Sequence, residues 1–533
     1  MSKQIQNDMD IFESYLQVPR NLITQEIEGL YGSRILREMG EIIKYYDVYD
    51  NGAKFLSEGS NGDYLPTDLR IKQAANLINK EARFLFSKKP DLWIDPEFLP
   101  DEKSVQAAKD NATIMQAYLD KVLNKTKFFG KLIKAAKDCF IGKRVALFVN
   151  FDEENGKISV SFAPSLEFIY EVDGDDIDVL TKIVCFFVMY DSEQKSQQRI
   201  YKKKYWMQNG FCWIEEGVYD GTGSQIEEIT PARATKFTYI PAVVIRNDGL
   251  TGDLDGSSEV KELMDYEAWN SRLNSADIDA ERKGMNSIKY LVDMNPESTK
   301  GLSSAPGALW DLSSDQNIDG GSPQVGSLEP SMGYSGALNT TLNRIKSAAY
   351  STLDIPDTSP DALQGIVTSG KALKALYWGL IVRCDEKMQE WRPALEQLVR
   401  ILIDGAKLYP GAAKSYSTEP IPDVPFDVRV DNQYSLPEDE AEEKQIDLAE
   451  VQSQTMSRKS YMKKWRNLTE EEAMNELKQI ALERELLEDT FQAIGGELSE
   501  EPSEDDNNAN QEPQDQDTGD TSKPEEPDED GSK

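Results

Sequence analysis

The sequence predicts an α+β chain with a helical N-terminal part, an antiparallel β part and a long helical remainder. Apolar residues recur at helical spacing through the first 140 residues, alternate with polar ones from Lys143 to Arg246, and resume helical spacing from Ser257. A length of 533 residues admits three or four domains at roughly 150 residues each.

Leu69, Ile71, Ala74, Leu77, Ile78, Ala82 and Phe86 predict a helix over Leu69–Phe86, and Asn111–Leu123 and Phe128–Phe140 continue the pattern. Arg144–Phe151 is rich in Val, Phe and Leu. Asn155-Gly156 marks a turn, and Lys157–Ala163 alternates, which together signal a hairpin. Phe168–Val172, Leu180–Tyr190, Arg199–Met207 and Phe211–Glu215 extend this into one sheet of successive antiparallel strands, and Thr238–Arg246 adds an apolar stretch.

Asp255-Gly256-Ser257-Ser258 offers an N-cap, and Glu259 and Glu262 favour the positive end of a helix that runs to Arg282 and closes at Gly284. Such a helix is about 39 Å long at 1.5 Å per residue. Ser287–Asp293 and Ala308–Leu312 read as short strands, and Met332–Leu353 as a second helix of about 33 Å. A breaker-rich stretch, Ile355–Asp361, precedes a long helix after Gly370. Its Leu373, Leu376, Leu380, Cys384, Met388, Trp391, Leu395, Leu398 and Leu402 repeat every three or four residues. Pro393 inside it removes one ladder hydrogen bond and predicts a kink. The length of this stripe suggests lateral packing between copies. Phe426–Val430 reads as a strand, followed by helices over Glu438–Gln452 and Ser457–Trp465 and one opened by the capping box Thr469-Glu470-Glu471-Glu472. Residues 501–533 hold 13 acids and 2 lysines with almost nothing apolar, a composition that predicts disorder.

The formal charge is −36, from 95 acids against 59 bases, which argues against tight adhesion to DNA or to an anionic membrane. There is no histidine, so Ser-His-Asp and Cys-His catalysis, His-ligated zinc and a His base are excluded. Cys139, Cys185, Cys212 and Cys384 form no C-x-x-C pair, and scattered thiols suit a reducing compartment. The N-terminus MSKQIQNDMDIF has no apolar signal core, and runs such as Ile183–Tyr190 are too short to span a bilayer. The chain is expected to be soluble and made in a cytoplasm.

Gly365–Gly370-Lys371 matches the G-x-x-x-x-G-K phosphate loop, but Ala372 stands where Mg²⁺ needs Ser or Thr, and no strand precedes it. A loop at a helix start is the better reading. Asp173, Asp175 and Asp176 around Gly174 read as a solvated turn, and Asp253 and Asp255 as a turn and cap in preference to a cation site. Basic clusters stand at Lys202–Lys204 and at Arg458, Lys459, Lys463, Lys464 and Arg466, and the second, on a predicted helix with Tyr461 and Trp465, has a mixture that nucleic-acid sites use. A solvated helix face opposite acidic neighbours is the preferred reading of the second group.

The order of certain stretches resembles the portal proteins of tailed bacteriophages, of the siphophage type found in phages of Gram-positive hosts. These are Asn76–Lys89 before a short strand, Gly142–Phe151 followed by Pro164–Tyr170, and Ile240-Pro241 leading through Gly256-Ser257-Ser258-Glu259 to a long helix. Leu353-Asp354-Ile355-Pro356 and Ser369–Leu373 complete the set, and the likeness covers roughly residues 20–490. The resemblance implies a ring subunit and no enzyme, cofactor or bound metal. Its parts would be a wing over 1–256, a stem helix over 257–283, a clip over 284–330 and a second stem helix over 331–354. A tunnel loop would follow over 355–370, then the kinked helix and a wing return strand over 371–435, a crown over 436–494 and an acidic tail over 495–533.

It implies a dodecameric homo-oligomer at the portal vertex of the virion, assembled in the host cytoplasm. Double-stranded DNA would pass through its channel. Partners would be the terminase large subunit, the major capsid and scaffolding proteins and the head–tail connector protein, with no membrane. The residues expected to meet DNA are Asp357, Thr358, Ser359, Lys371, Arg344 and Lys346. Those expected to dock motor or connector on the clip are Lys289, Tyr290, Trp310 and Asp311. The alternatives are an ATP-dependent DNA translocase, a metal-dependent nuclease, or another virion connector protein.

Overall fold

The computed structural model describes residues 18–27, 29–53, 67–96, 102–189, 199–250, 253–285, 288–300, 302, 310, 312–315, 317, 324–328, 333–359, 374–435, 440–466, 468 and 470–495. It is an α+β structure that divides into two units, Met1–Pro437 and Glu438–Lys533. The phosphate-loop-like stretch through Lys371, Asp311, Thr469 and the acidic tail beyond Gly495 lie outside the described residues.

In the first unit, α1 (Arg20–Thr24), α2 (Gly29–Asn51), α3 (Gln73–Leu85), α4 (Glu102–Lys125) and α5 (Phe128–Gly142) form the N-terminal helices. The apolar spacing works as expected in α3, where Ala74, Leu77, Ile78, Ala82 and Leu85 are buried. The helix nevertheless begins at Gln73 and not at Leu69. Side chains of a later helix capture the backbone N–H groups that a first turn would use. Leu69 N–H donates to Ser275 Oγ at 3.0 Å and Ile71 N–H to Ser271 Oγ at 3.1 Å. Thr67 N–H donates to Asp279.

The β part is two sheets, not one. β2 (Arg144–Asp152) pairs antiparallel with β3 (Lys157–Pro164) in the expected hairpin, and β9 (Ala242–Arg246) returns across 77 residues of chain order to β2's other edge. The meander β4 (Phe168–Val172), β5 (Leu180–Met189), β6 (Arg199–Gln208), β7 (Phe211–Asp220) and β8 (Gln225–Ala234) forms the second sheet. β8 escapes sequence detection because it is an exposed edge strand carrying Pro231, with no buried face to impose alternation. β1 (Asp91–Pro96) pairs with β12 (Phe426–Asp431), so a strand late in the chain closes on an early one.

α6 (Glu259–Met285) follows β9. Gly256, at φ 74°, makes the approach: a Cβ there would stand 2.6 Å from the Lys143 carbonyl oxygen. β10 (Ile288–Val292) pairs with β11 (Gln324–Leu328), and of the strand expected over Ala308–Leu312 only Trp310 and Leu312 lie among the described residues. Then come α7 (Ser335–Thr352), α8 (Trp378–Leu408, with Pro393 inside) and α9 (Pro410–Ala413). The stripe on α8 is spent within its own chain: Leu380, Cys384, Met388, Trp391, Leu395, Leu398 and Leu402 join the main core with α3, α5 and β2. Of the remaining stripe residues Leu376 is half-buried and Leu373 lies outside the described residues, and Trp378 and Val382 on α8 are exposed.

The second unit contains α10 (Glu440–Gln452), α11 (Arg458–Arg466) and α12 (Glu470–Gly495). Trp465 Nε1 donates to Asp447 Oδ2 at 2.7 Å, and Lys464 pairs with the same oxygen at 2.7 Å. Arg466 pairs with Glu476 at 3.1 Å, so the basic helix does face acids of its own unit.

Candidate functional site

The site is the helix pair α6 and α7, the β10–β11 hairpin between them, and the ion cluster that fastens their base. Tyr334, just before α7, donates its hydroxyl to Asp277 near the end of α6 at 3.1 Å, so the helices run side by side in opposite directions. In α7 only Ala349 is buried. A helix of 18 residues with so little covered surface is incompletely packed in a single copy.

The base of α6 is held by four charged groups from three elements, three of them buried and Arg383 half-buried. Arg383 of α8 donates to Glu81 of α3 at 2.8 Å and to Glu259, the first residue of α6, at 3.2 Å. One turn on, Lys387 contacts Glu259 Oε1, stands 3.6 Å from Glu81 Oε1 and donates to Asn247 Oδ1 at 2.8 Å. Burial, then the neighbouring Glu259 charge, pushes Glu81 up to about 8. Burial opposes ionisation of Glu259 too, but Lys387, a hydrogen bond from Glu81 and Arg383 hold it below the usual carboxylate range. The Oε2 atoms of both acids have no other hydrogen-bond partner, so a proton kept by Glu81 supplies the donor they need.

A second cluster locks the approach to α6. Arg144 of β2 donates to Glu38 Oε1 at 2.8 Å and to Asp255 Oδ1 at 3.2 Å, and Arg34 also pairs with Asp255. Asp255 is thus engaged by guanidinium groups. Among the described residues no group of three or more His, Cys, Asp or Glu side chains is arranged to hold a metal ion.

The sequence-derived candidates fall into distinct settings. Arg344 is exposed on α7 and makes no ion pair among the described residues. Lys346 pairs with Asp357 at 2.9 Å, so two of the expected DNA contacts are bonded to each other. Partial burial notwithstanding, Lys346 and the Ser359 N–H hold Asp357 below the usual carboxylate range. Thr358 and Ser359 follow in the same loop, while Lys371 lies outside the described residues. Tyr290 sits on β10, exposed, opposite Gly326, where any side chain would strike its ring. Lys289 is its neighbour on the strand, with its side chain outside the described part, and Trp310 is half-buried.

Lys202–Lys204 are not a free basic patch. Lys202 and Lys204 converge on Glu26, which burial would raise but their hydrogen bonds hold down to about 2, and Lys203 pairs with Glu216 at 3.0 Å. Sequence reading missed the clusters at Glu81 and Glu259 entirely. The one available signal was a pair of cations, Arg383 and Lys387, spaced i,i+4 on the apolar stripe of a helix.

A model of the family described as "Phage portal protein, SPP1 Gp6-like" matches residues 32–487. No curated protein sequence matches the chain. Among solved structures, a chain from "Virion of native gene transfer agent (GTA) particle" is similar at 9% identity and a TM-score of 0.29, covering 74% of this chain and 89% of that one. No described helix is long and apolar enough to cross a membrane.

Proposed function

The chain belongs to the SPP1 Gp6-like family of phage portal proteins, structural and non-enzymatic components of the virion, and from that premise we propose that its copies close side by side into a ring channel for duplex DNA. Translocase and nuclease readings fall with the family assignment. The observation that carries the ring is α7: one buried residue in a helix of 18 leaves a largely uncovered helix that neighbouring copies would cover. The preferred number of copies is twelve, at one capsid vertex.

On this reading residues 1–256 and 371–435 form the wing, α6 and α7 the stem, and 284–330 the clip. The loop over 355–370 projects into the channel, and 436–494 form the crown. The clip, with Lys289, Tyr290, Trp310 and Asp311, docks the terminase large subunit during packaging and the head–tail connector afterwards. Capsid and scaffolding proteins surround the ring, which assembles in the host cytoplasm.

The acid surplus supplies the channel's physics. A wall that repels phosphate lets DNA slide, and a few cations keep the repulsion from becoming a barrier. Arg344 is the described cation best suited to this, being exposed and unpaired, and Lys346 is tempered by Asp357. Lys371 is proposed for the same role. Native mass measurement and images of the purified oligomer down its axis test the reading. An annulus of about twelve copies is expected, and a compact monomer absent from the particle would overturn it. Neutralising Lys371 should change DNA packaging or retention and leave rings intact.

A further inference from the structure

A cleft of about 300 Å³ opens where α3, the start of the 355–359 loop and the start of α8 meet. Phe84, Ile355, Tyr377 and Leu380 form its apolar floor, and Lys80 and Arg83 stand at its rim. Phe84 is stacked between Tyr377 and Tyr434, with ring centroids 5.6 and 5.2 Å away, so the floor is firmly built. Arg83 makes no ion pair among the described residues, and Lys80 spends itself on Tyr350, donating to its hydroxyl at 3.3 Å. The cleft thus asks for an apolar group with a carboxylate beside it.

The chain presents such a group elsewhere. In the connection from β9 to α6, Leu250 is 86% exposed, the most exposed large apolar side chain among the described residues. Asp248, two residues earlier, is exposed and among the described residues bonds only the N–H of Gly249, at 2.8 Å. The positive φ of Asp248 (49°) and of Gly249 (146°) and the bond from Asp253 N–H to the Leu250 carbonyl at 2.8 Å define the turn that carries Leu250 outward. Leu250 does not line the cleft of its own chain.

We infer that Leu250 of one copy seats in the Phe84–Leu380 cleft of the next, with Asp248 meeting Arg83 at its rim. The contact joins two different surfaces, so it is heterologous, and repetition with a closing rotation gives a ring. Duplex DNA is the poorer occupant. Its outer surface offers sugar and phosphate, which would meet the cations but leave the apolar floor uncovered. This inference rests on the portal reading and names where one subunit grips its neighbour.

The test uses the full chain, after native mass has shown that the parent forms rings, so that failure falls on the contact and not on the ring. The double variant Leu250→Cys with Ser87→Cys, oxidised with diamide, should give a ladder of covalent multimers on a denaturing gel. The four native cysteines are buried and stay silent, and each single cysteine variant should give no ladder. Arg83→Glu or Asp248→Arg alone should raise the concentration at which rings dissociate about tenfold, as close cross-interface charge pairs do, and the two together should restore it. Rings without a ladder, or a disulfide closed only within one copy, would overturn the inference. So would single charge variants that keep parental rings but change DNA retention, because the cleft would then serve DNA.

Discussion

Replacing Lys387 with Met should loosen the joint between α6 and α8 by an amount the local geometry fixes. The ammonium donates to Asn247 Oδ1 at 2.8 Å, contacts Glu259 and lies 3.6 Å from Glu81. Removing one partner of a buried ion pair costs about 3–5 kcal/mol, because the other charge stays desolvated. Arg383 remains bonded to both carboxylates, at 2.8 and 3.2 Å, and Glu81 can keep its proton, so the lower end applies, about 3 kcal/mol. With a urea dependence of about 3 kcal/mol per molar, the unfolding midpoint should fall by roughly 1 M. The assay is urea titration at pH 7, followed by far-ultraviolet circular dichroism below the concentration of ring formation. Adding Glu259→Gln removes the stranded charge and should recover at least about 1 kcal/mol relative to additivity. A Lys387→Met midpoint within about 0.2 M of the parent, or a double variant as weak as the two losses summed, would show that the cluster does not hold the helices together.

Glu81 is raised from 4.5 to about 8, so its contribution is fully present below pH 4.5 and is lost as pH rises through 8. Relative to Glu81→Gln, the parent's unfolding free energy should therefore slope downward over that window in parallel urea titrations. Glu26 has the opposite sign: lowered from 4.5 to about 2, it stabilises above 4.5 and fails as pH falls toward 2. Proteolysis within residues 18–27 should accelerate across that interval in the parent, whereas Glu26→Gln should already be cleaved readily at neutral pH. Gly256→Ala forces a Cβ to 2.6 Å from the Lys143 carbonyl at a φ of 74° and should cost about 1–3 kcal/mol, read as faster hydrogen exchange at the start of α6. Asp357→Asn releases Lys346 from its 2.9 Å partner and should slow DNA passage without dissolving rings, measured as packaging rate in a reconstituted system.

Most elements were legible because their period is imposed by a buried face. α5, β2, β3 and the stripe of α8 lie in the main core, and their spacing shows it. Failures came where tertiary contacts replaced that constraint. The stretch Leu69–Lys72 has helical spacing, but Leu69 gives its N–H to Ser275 and Ile71 gives its N–H to Ser271, groups 206 and 200 residues away. The split into two sheets was invisible, since β9's place beside β2 is set by long-range register and not by local alternation. At the site, the helix pair and the loop could be read from the sequence. The pairing of Lys346 with Asp357, and the meeting of α3, α6 and α8 at Glu81, could not, because each depends on groups that only the fold brings together.

The distribution of cations matters more for the proposed channel than the net charge of −36. Lys202, Lys203 and Lys204, Arg144, Arg383 and Lys387 are committed to carboxylates at or beneath the surface. Each such pair withdraws an acid together with a base, so the net charge outside is little changed while fewer cations are free to meet phosphate. Adhesion to duplex DNA depends on cations free to displace counterions, and committed cations do not do so. Internal pairing thus builds a rigid joint at the start of α6, and Arg344 on α7 is an exposed base left free to meet DNA in the proposed channel. Two Arg344 variants separate this account from a simple charge count. Arg344→Glu should change DNA retention, whereas a reversal of equal charge on the far wing, Lys236→Glu, should not. Equal effects from both would mean that only total charge counts.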